Sequence, residues 1–190
     1  MKLKKILISL LLLLLTLGLI HAAPAQADSS TSQQVKAIQK RGVLNVGVKQ
    51  DVPNFGYLNP DSNTYSGLEI DIAKKIAKEL GVKINYVPVT AQTRGPLLDN
   101  GQVDMVIATF TITDERKEIY NFTTPYYTDA SGFLVNKSSK ITDVKDLNNK
   151  TIGVVQGSIT QTLLEEIAQE KKLNFKYVEL GSYPELAVSL

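Results

Sequence analysis

The first half of the chain alternates short apolar runs with one amphipathic helix, and this alternation constrains the fold most. Residues 43–48 (VLNVGV) and 82–89 (VKINYVPV) predict strands, and residues 67–80 (GLEIDIAKKIAKEL) predict a helix between them. The helix carries its isoleucines and alanines on one face and its lysines on the other, and Gly81 supplies a C-terminal stop. Strands joined to a helix by such short connections are typical of a right-handed parallel α/β sheet.

The same alternation starts again after residue 141. Residues 151–155 and 174–180 predict strands, residues 160–171 predict an amphipathic helix, and a further helix starts near Ser182. Two strands and two helices form a marginal core, so we expect this second unit to be incomplete and the polypeptide to be C-terminally truncated.

A strand predicted over residues 132–136 follows the small residues Ala130 and Ser131. Because hinges absorb their dihedral changes at a few positions at the ends of elements, the chain is expected to cross between two lobes there. We therefore predict lobe 1 over residues 35–130 and a partial lobe 2 over residues 131–190, with a hinge near residues 125–132.

The N-terminus has the order of a secretory signal peptide. Three lysines precede a Leu- and Ile-rich core, and Ala25-Gln26-Ala27 forms an A-x-A cleavage site, which predicts a signal over residues 1–27. An uncleaved membrane anchor is the alternative. A flexible Ser/Thr/Gln-rich leader is expected over residues 28–34. The chain has no cysteine, so neither a lipid-modified Cys nor a disulfide framework is available.

Removal of the signal changes both charge and chemistry. The precursor has 21 basic and 19 acidic residues, and loss of Lys2, Lys4 and Lys5 leaves an almost neutral chain, which argues against a nucleic-acid partner. The single histidine, His21, lies in the signal, so the mature chain has neither His nor Cys. Sites of the Ser-His-Asp and Cys-His kinds are excluded, and zinc or copper would find only carboxylates.

Cationic and hydroxyl side chains flank the strand predicted over residues 103–109. Arg94 precedes this strand, Arg116 follows it, and Thr109 and Thr111 lie between them. A guanidinium group matches two carboxylate oxygens at once, and a threonine hydroxyl adds a single donor. The segment therefore suggests a carboxylate site, although both arginines could instead be solvated surface charges. Thr113 is a good N-cap for a helix that starts with Asp-Glu-Arg.

Two further elements suit an anion. Lys49 follows the strand over residues 43–48, and ligands of open α/β sheets bind beyond the carboxyl ends of strands. The segment Gly157–Thr160 joins a strand to a helix N-terminus, where free backbone N–H groups favour negative charge. Each feature alone is common on protein surfaces.

With these residues, and with TITDERK (111–117), FTTPYY (122–127) and DLNNKTIGVVQGS (146–158), the chain resembles bacterial polar amino-acid-binding proteins of ABC importers, solute-binding protein family 3. The segment TRGPLLDNGQVDMVIATFTIT (93–113) resembles the aspartate/glutamate-binding branch most. The resemblance implies an α/β fold of the periplasmic-binding-protein type II, with two lobes that close on one amino acid.

The resemblance also implies roles for individual residues. Arg116 would bind the α-carboxylate, assisted by threonine donors and by the N–H groups of the Gly157 turn. Arg94, with Lys49 as its helper, would bind the side-chain carboxylate of an acidic amino acid. The expected ligand-binding residues are Lys49, Arg94, Thr109, Thr111, Arg116, Ser158, Ile159 and Thr160.

Two departures from the family pattern matter. Ile159 stands where the family usually has Thr, so a hydroxyl contact is missing. The family's α-ammonium partner is an Asp on a strand beyond Leu190, so we expect residues 28–190 to bind an amino acid weakly or not at all.

The expected function is an extracytoplasmic receptor that delivers glutamate or aspartate to an ABC permease as a secreted monomer, without catalysis, cofactor or metal. The preference between the two acids, and between them and glutamine, stays open. A dehydratase or similar lyase on the same fold is the enzyme alternative, with Asp51 as its candidate acid/base. A detached sensor domain is the third alternative, and no second apolar span supports it.

Overall fold

The computed structural model describes residues 27–190, so nearly all of the predicted signal peptide (1–27) lies outside the described residues. Residues 38–190 form one compact unit, which contains the three sheets and the two hydrophobic cores of the described chain. No helix within the described part is long and apolar enough to cross a membrane.

The described residues form helices and strands in alternation. The helices are α1 (Ala27–Arg41), α2 (Leu68–Leu80), α3 (Arg94–Asp99), α4 (Asp114–Lys117), a 3-10 helix (Val144–Leu147), α5 (Thr160–Lys171) and α6 (Tyr183–Ser189). The strands are β1 (Val43–Val48), β2 (Asp51–Val52), β3 (Gly56–Asn59), β4 (Thr64–Ser66), β5 (Lys83–Pro88), β6 (Met105–Ile107), β7 (Thr151–Val155) and β8 (Lys176–Leu180).

Helix α1 begins at Ala27, so the segment predicted as a flexible leader (28–34) is helical instead. The start of this helix could not be predicted from the sequence pattern. The Ser/Thr/Gln-rich start has no apolar stripe, and apolar periodicity is the signal on which such a prediction depends. The helix ends as predicted at Gly42, whose positive φ of 75° allows its N–H to bond the Ile38 carbonyl at 2.9 Å.

The main sheet has the strand order β5-β1-β6, and both pairings of β1 are parallel, as predicted. Helix α2 covers it, and Gly81 closes α2 in the left-handed conformation, also as predicted. The strand predicted over residues 103–109 is shorter than expected, because only β6 pairs with β1. The first core lies between sheet and helix and consists of Leu44, Val46, Val48, Ile70, Ala73, Ala77 and Ile107.

Leu44 provides a direct test of this core. Its side chain is 1% exposed, so Leu44→Ala leaves a cavity under α2. We expect the free energy of unfolding to fall by about 2–5 kcal/mol, measured by urea denaturation. The control is Ile119→Ala at a side chain that is 70% exposed, for which a change within about 0.5 kcal/mol is expected. Equal effects of the two substitutions would contradict the assignment of this core.

Residues 51–66 form a second, antiparallel sheet with the order β2-β3-β4. The Pro, Gly and Asn residues of this segment are typical of loops, and they obscure the short strands in the sequence. Tyr65 in β4 is half-buried, packs against the first core, and its ring lies 4.9 Å from that of Tyr86.

Strands β7 and β8 pair in parallel as predicted and form a small separate sheet. The second core lies against this sheet and consists of Leu147, Val154, Leu164 and Phe175. Helix α5 supplies Leu164, in agreement with the predicted inward face, and α6 packs beside β7 and β8.

The connection between the two cores contains no strand. Residues 132–136 were predicted to be one, but the segment 121–135 makes no backbone–backbone hydrogen bond within the described part of the chain. A strand requires a partner for its N–H and C=O groups, and no described strand lies alongside this one. The lobe boundary at 130/131 and the hinge near 125–132 stay predictions.

Candidate functional site

The two arginines singled out in the sequence lie on the same aromatic ring. The guanidinium carbon of Arg94 is 4.2 Å from the centre of the Phe110 ring, and that of Arg116 is 4.7 Å from it. Both distances are within the range of cation–π attraction. The two residues are thus neighbours rather than unrelated surface charges. Phe110 was not singled out from the sequence, although it lies midway between the two threonines that were.

Arg94 starts α3 and is 3% exposed. Its Nη1 donates to the carbonyls of Ala108 at 2.7 Å and Thr109 at 2.9 Å, so this arginine also holds the end of β6 in place. Burial and then the charge of Arg116 lower the pKa of Arg94 to about 10, so the group remains protonated at neutral pH.

Arg116 is half-buried in α4, and Thr113 caps this helix as predicted, by accepting from the Arg116 backbone N–H at 3.2 Å. The Arg116 Nη1 donates to the Thr111 carbonyl at 2.8 Å, and the Arg116 Nη2 donates to the Gly157 carbonyl at 3.2 Å. The second bond joins the loop after β6 to the turn before α5. Partial burial lowers the pKa of Arg116. Three of the five guanidinium N–H groups remain for a ligand.

Thr109 adopts a left-handed conformation with φ of 47°, which is uncommon for a β-branched residue. Its N–H donates to Oε1 of Glu69 at 2.5 Å, while its carbonyl accepts from Arg94. Both sides of this residue are therefore held by charged groups. Thr111, the other predicted hydroxyl donor, is exposed at the next position but one.

Glu69 was not predicted from the sequence. It is 0% exposed in the first turn of α2, and its Oε1 also accepts from the hydroxyl of Tyr126 at 2.5 Å. Burial raises the pKa of Glu69, an effect that its two hydrogen bonds and the charges of Arg94 and Lys49 oppose. The signal that could have revealed it is spacing: Glu69 lies four residues before the buried Ala73 and so shares its face of the helix.

Lys49 is 1% exposed, and its Nζ lies 2.9 Å from Oδ1 of Asp51. The sequence-based prediction treated Lys49 as a cation available to a ligand carboxylate and did not include this ion pair. Its charge is already balanced by Asp51. For the same reason Asp51, the acid/base candidate of the enzyme alternative, is an ion-pair partner in the structure.

The turn before α5 provides fewer N–H groups than predicted. The N–H of Ser158 donates to the Val155 carbonyl at 3.0 Å, and that of Thr160 donates to the Ser158 hydroxyl at 3.3 Å. Among the described hydrogen bonds of Ser158, Ile159 and Thr160, the Ile159 N–H is the one that has no intramolecular acceptor. Gly157, with φ of 77°, packs directly on the backbone of residues 91 and 92, where a Cβ would lie 2.7 Å from the Cα of Gln92.

Tyr183, at the start of α6, was also not assigned to the site from the sequence. An open cleft of about 610 Å³ between α6 and the β2-β3-β4 sheet is lined by Tyr183 and Asp51, among others. Among the described residues, no three His, Cys, Asp or Glu side chains are grouped so that they could hold a metal ion.

Comparison with known proteins places this arrangement in a family. Residues 44–172 match the bacterial extracellular solute-binding proteins, family 3. A glutamine-binding protein of Geobacillus stearothermophilus is 37% identical over 88% of this chain and 64% of its own length. A glutamate/aspartate import solute-binding protein of Salmonella typhimurium is 29% identical over 94% of this chain and 60% of its own. The chain thus spans less than two thirds of the length of these relatives.

Among solved structures, the ancestral amino acid-binding protein AncCDT-1, described as a precursor of cyclohexadienyl dehydratase, superposes with a TM-score of 0.73. It is 33% identical, and the match covers 82% of this chain and 68% of that one. The fold is accordingly that of the type II periplasmic amino-acid-binding proteins. The names of the two relatives are those of binding proteins, which agrees with the expectation that this chain is not an enzyme.

The finer expectation, that the aspartate/glutamate branch is the most similar, is not supported, since the glutamine-binding relative shares more identical residues with the chain than the glutamate/aspartate one. The family itself follows from a match that covers well over half of the chain together with the fold. The chain belongs to the bacterial extracellular solute-binding proteins of family 3.

Proposed function

We propose that this protein is the secreted substrate-binding component of an ABC importer and that it captures a polar amino acid with a carboxylate or carboxamide side chain. Export would depend on the signal at residues 1–27, and the absence of cysteine argues against a lipid anchor. The protein would act as a monomer that docks on a membrane permease. The placement of Arg94 and Arg116 on one ring beside the Gly157 turn is the observation that carries the proposal.

Arg116 is assigned to the α-carboxylate of the ligand. It is the more accessible arginine, and its remaining N–H groups can form the parallel pair of bonds that a carboxylate accepts. The Ile159 N–H at the start of α5 and the hydroxyls of Thr109 and Thr111 would add donors. The bond from Arg116 to the Gly157 carbonyl would then be exchanged for bonds to the ligand as the two cores close around it.

The side-chain end of the ligand is assigned to Arg94, with Lys49 nearby. The positive charges of Lys49 and Arg94 are both offset by a nearby carboxylate. Lys49 pairs with Asp51, and Arg94 lies across Thr109 from Glu69. A site with balanced charges tolerates a neutral carboxamide, whereas an uncompensated buried cation would require a carboxylate. We therefore propose that glutamine and glutamate both bind, which also accommodates the names of both relatives.

Titration of isotopically labelled residues 28–190 with single amino acids tests this function by NMR, which detects weak binding as well as strong. We expect glutamine and glutamate to shift the amide resonances of Thr109 and Ile159 in a saturable manner. Arginine and lysine should bind at least about tenfold more weakly, because their side chains offer no acceptor oxygen to Arg94 and leave it unpaired. Saturable shifts by arginine alone, or by no amino acid, would contradict the proposal.

A further inference from the structure

The carboxylate of Glu69 joins three segments of the chain. It lies in the first turn of α2, and its Oε1 accepts from the Thr109 N–H after β6 and from the Tyr126 hydroxyl in the connection to the second core, both at 2.5 Å. Its Oε2 is buried, and no hydrogen bond reaches it within the described part of the chain. Burial of a carboxylate with one oxygen unpartnered is costly.

The two groups that contact Glu69 are neutral donors, and the charged groups that act on it are cations. Arg94 lies on the other side of the Thr109 peptide, since it donates to the Thr109 carbonyl while Glu69 accepts from the Thr109 N–H. The charges of Arg94 and Lys49 both act on the Glu69 carboxyl, and Asp51 already neutralises Lys49. When ionised, Glu69 is therefore an anion placed to balance Arg94.

We propose that Glu69 is a specificity-determining positioning residue, whose negative charge offsets that of Arg94 so that the side-chain end of the site accepts a carboxamide as well as a carboxylate. The inference rests on the proposed function. It concerns how the site discriminates between an acid and its amide, not whether it binds amino acids.

The sign of the effect follows from electrostatics. Glu69 repels a ligand carboxylate near Arg94, but it does not repel the neutral carboxamide of glutamine. Removal of its charge leaves that of Arg94 uncompensated, which strengthens glutamate binding relative to glutamine binding. For charges several ångströms apart in a partly buried site, we expect the glutamine-to-glutamate ratio of dissociation constants to rise about tenfold.

Glu69→Gln tests the inference, because glutamine has the same shape and keeps an oxygen that can accept from Thr109 and Tyr126. Dissociation constants for glutamate and glutamine are measured by the same NMR titration at pH 7. Glu69→Asp keeps the charge on a shorter side chain and should leave the ratio near that of the wild type. Asp71→Asn, which removes an exposed carboxylate from the same helix, is the matched control and should change neither constant.

A rise in the ratio for Glu69→Gln alone supports the inference. If Glu69→Gln weakens the binding of both ligands by the same factor, Glu69 acts only through the structure, and the inference is overturned. An unchanged ratio of dissociation constants overturns it as well. If Glu69→Gln does not fold, Glu69→Met removes the charge in a side chain of similar length and carries the same expectation. Failure of the wild-type protein to bind either ligand would instead refute the proposed function.

Discussion

Replacement of Arg116 by glutamine is expected to weaken binding of glutamate and glutamine alike by about 100-fold. Arg116 is assigned to the α-carboxylate, which both ligands share, so their ratio should not change. Truncation of one partner of a desolvated, hydrogen-bonded charge pair costs about 2–5 kcal/mol, and about 3 kcal/mol corresponds to 100-fold. The dissociation constants are measured by NMR titration with each ligand.

Lys117→Gln is the matched control for Arg116→Gln. Lys117 is the next residue of α4, is exposed, and pairs only with Asp114 in the first turn of the same helix. Its loss should change binding less than about twofold, because exposed ion pairs contribute little. The assignment of Arg116 is wrong if the two variants bind equally well, or if Arg116→Gln weakens glutamate binding alone.

Gly157→Ala is the second substitution with a large expected effect. A Cβ at this position would lie 2.7 Å from the Cα and 2.8 Å from the N of Gln92, both backbone atoms that cannot rotate away. The turn before α5 would have to withdraw from residues 91 and 92, and the Ile159 N–H, a proposed donor to the ligand, would move away from Arg116. Overpacking of this kind costs about 1–3 kcal/mol, and we expect ligand affinity to fall by the corresponding factor, about 5- to 150-fold.

Gly101→Ala is the control that separates the effect of the close contact at Gly157 from the effect of backbone strain. Gly101 also has a positive φ, of 67°, but no atom lies within 4 Å of the position of its Cβ. Both variants should lose about 1 kcal/mol of stability from the left-handed conformation, and only Gly157→Ala should lose ligand affinity. Thermal denaturation and NMR titration of both variants measure the two effects. Equal affinity in both would show that the Gly157 contact is unrelated to binding.

The regular parts of the fold could be predicted because their signals are local. The apolar run of β1, the striped helix α2 and its Gly81 cap each follow from a few neighbouring residues, and all are confirmed. The errors arose where structure depends on distant partners. The segment 132–136 has strand-like residues but no described strand beside it, whereas β4 is short and polar yet pairs with β3.

The candidate site could be predicted in its residue types but not in its charge balance. Arg94 and Arg116 were identified because they flank a threonine-rich strand end, and the structure brings them to one ring. The pairing of Lys49 with Asp51, and the burial of Glu69 beside Thr109, depend on side-chain directions that spacing alone does not reveal. The predicted preference for an acidic ligand assumed that the cations of the site are unpaired. Because Lys49 pairs with Asp51 and Glu69 lies near Arg94, we propose instead that glutamine binds as well as glutamate.

The location of the bound ligand is the central claim, and a crystal structure of the protein with glutamine or glutamate tests it most directly. We predict the α-carboxylate within hydrogen-bond distance, about 2.7–2.9 Å, of the Arg116 guanidinium, and the ligand side chain directed toward Arg94. A ligand bound elsewhere, or an α-carboxylate with no contact to Arg116, would contradict this claim.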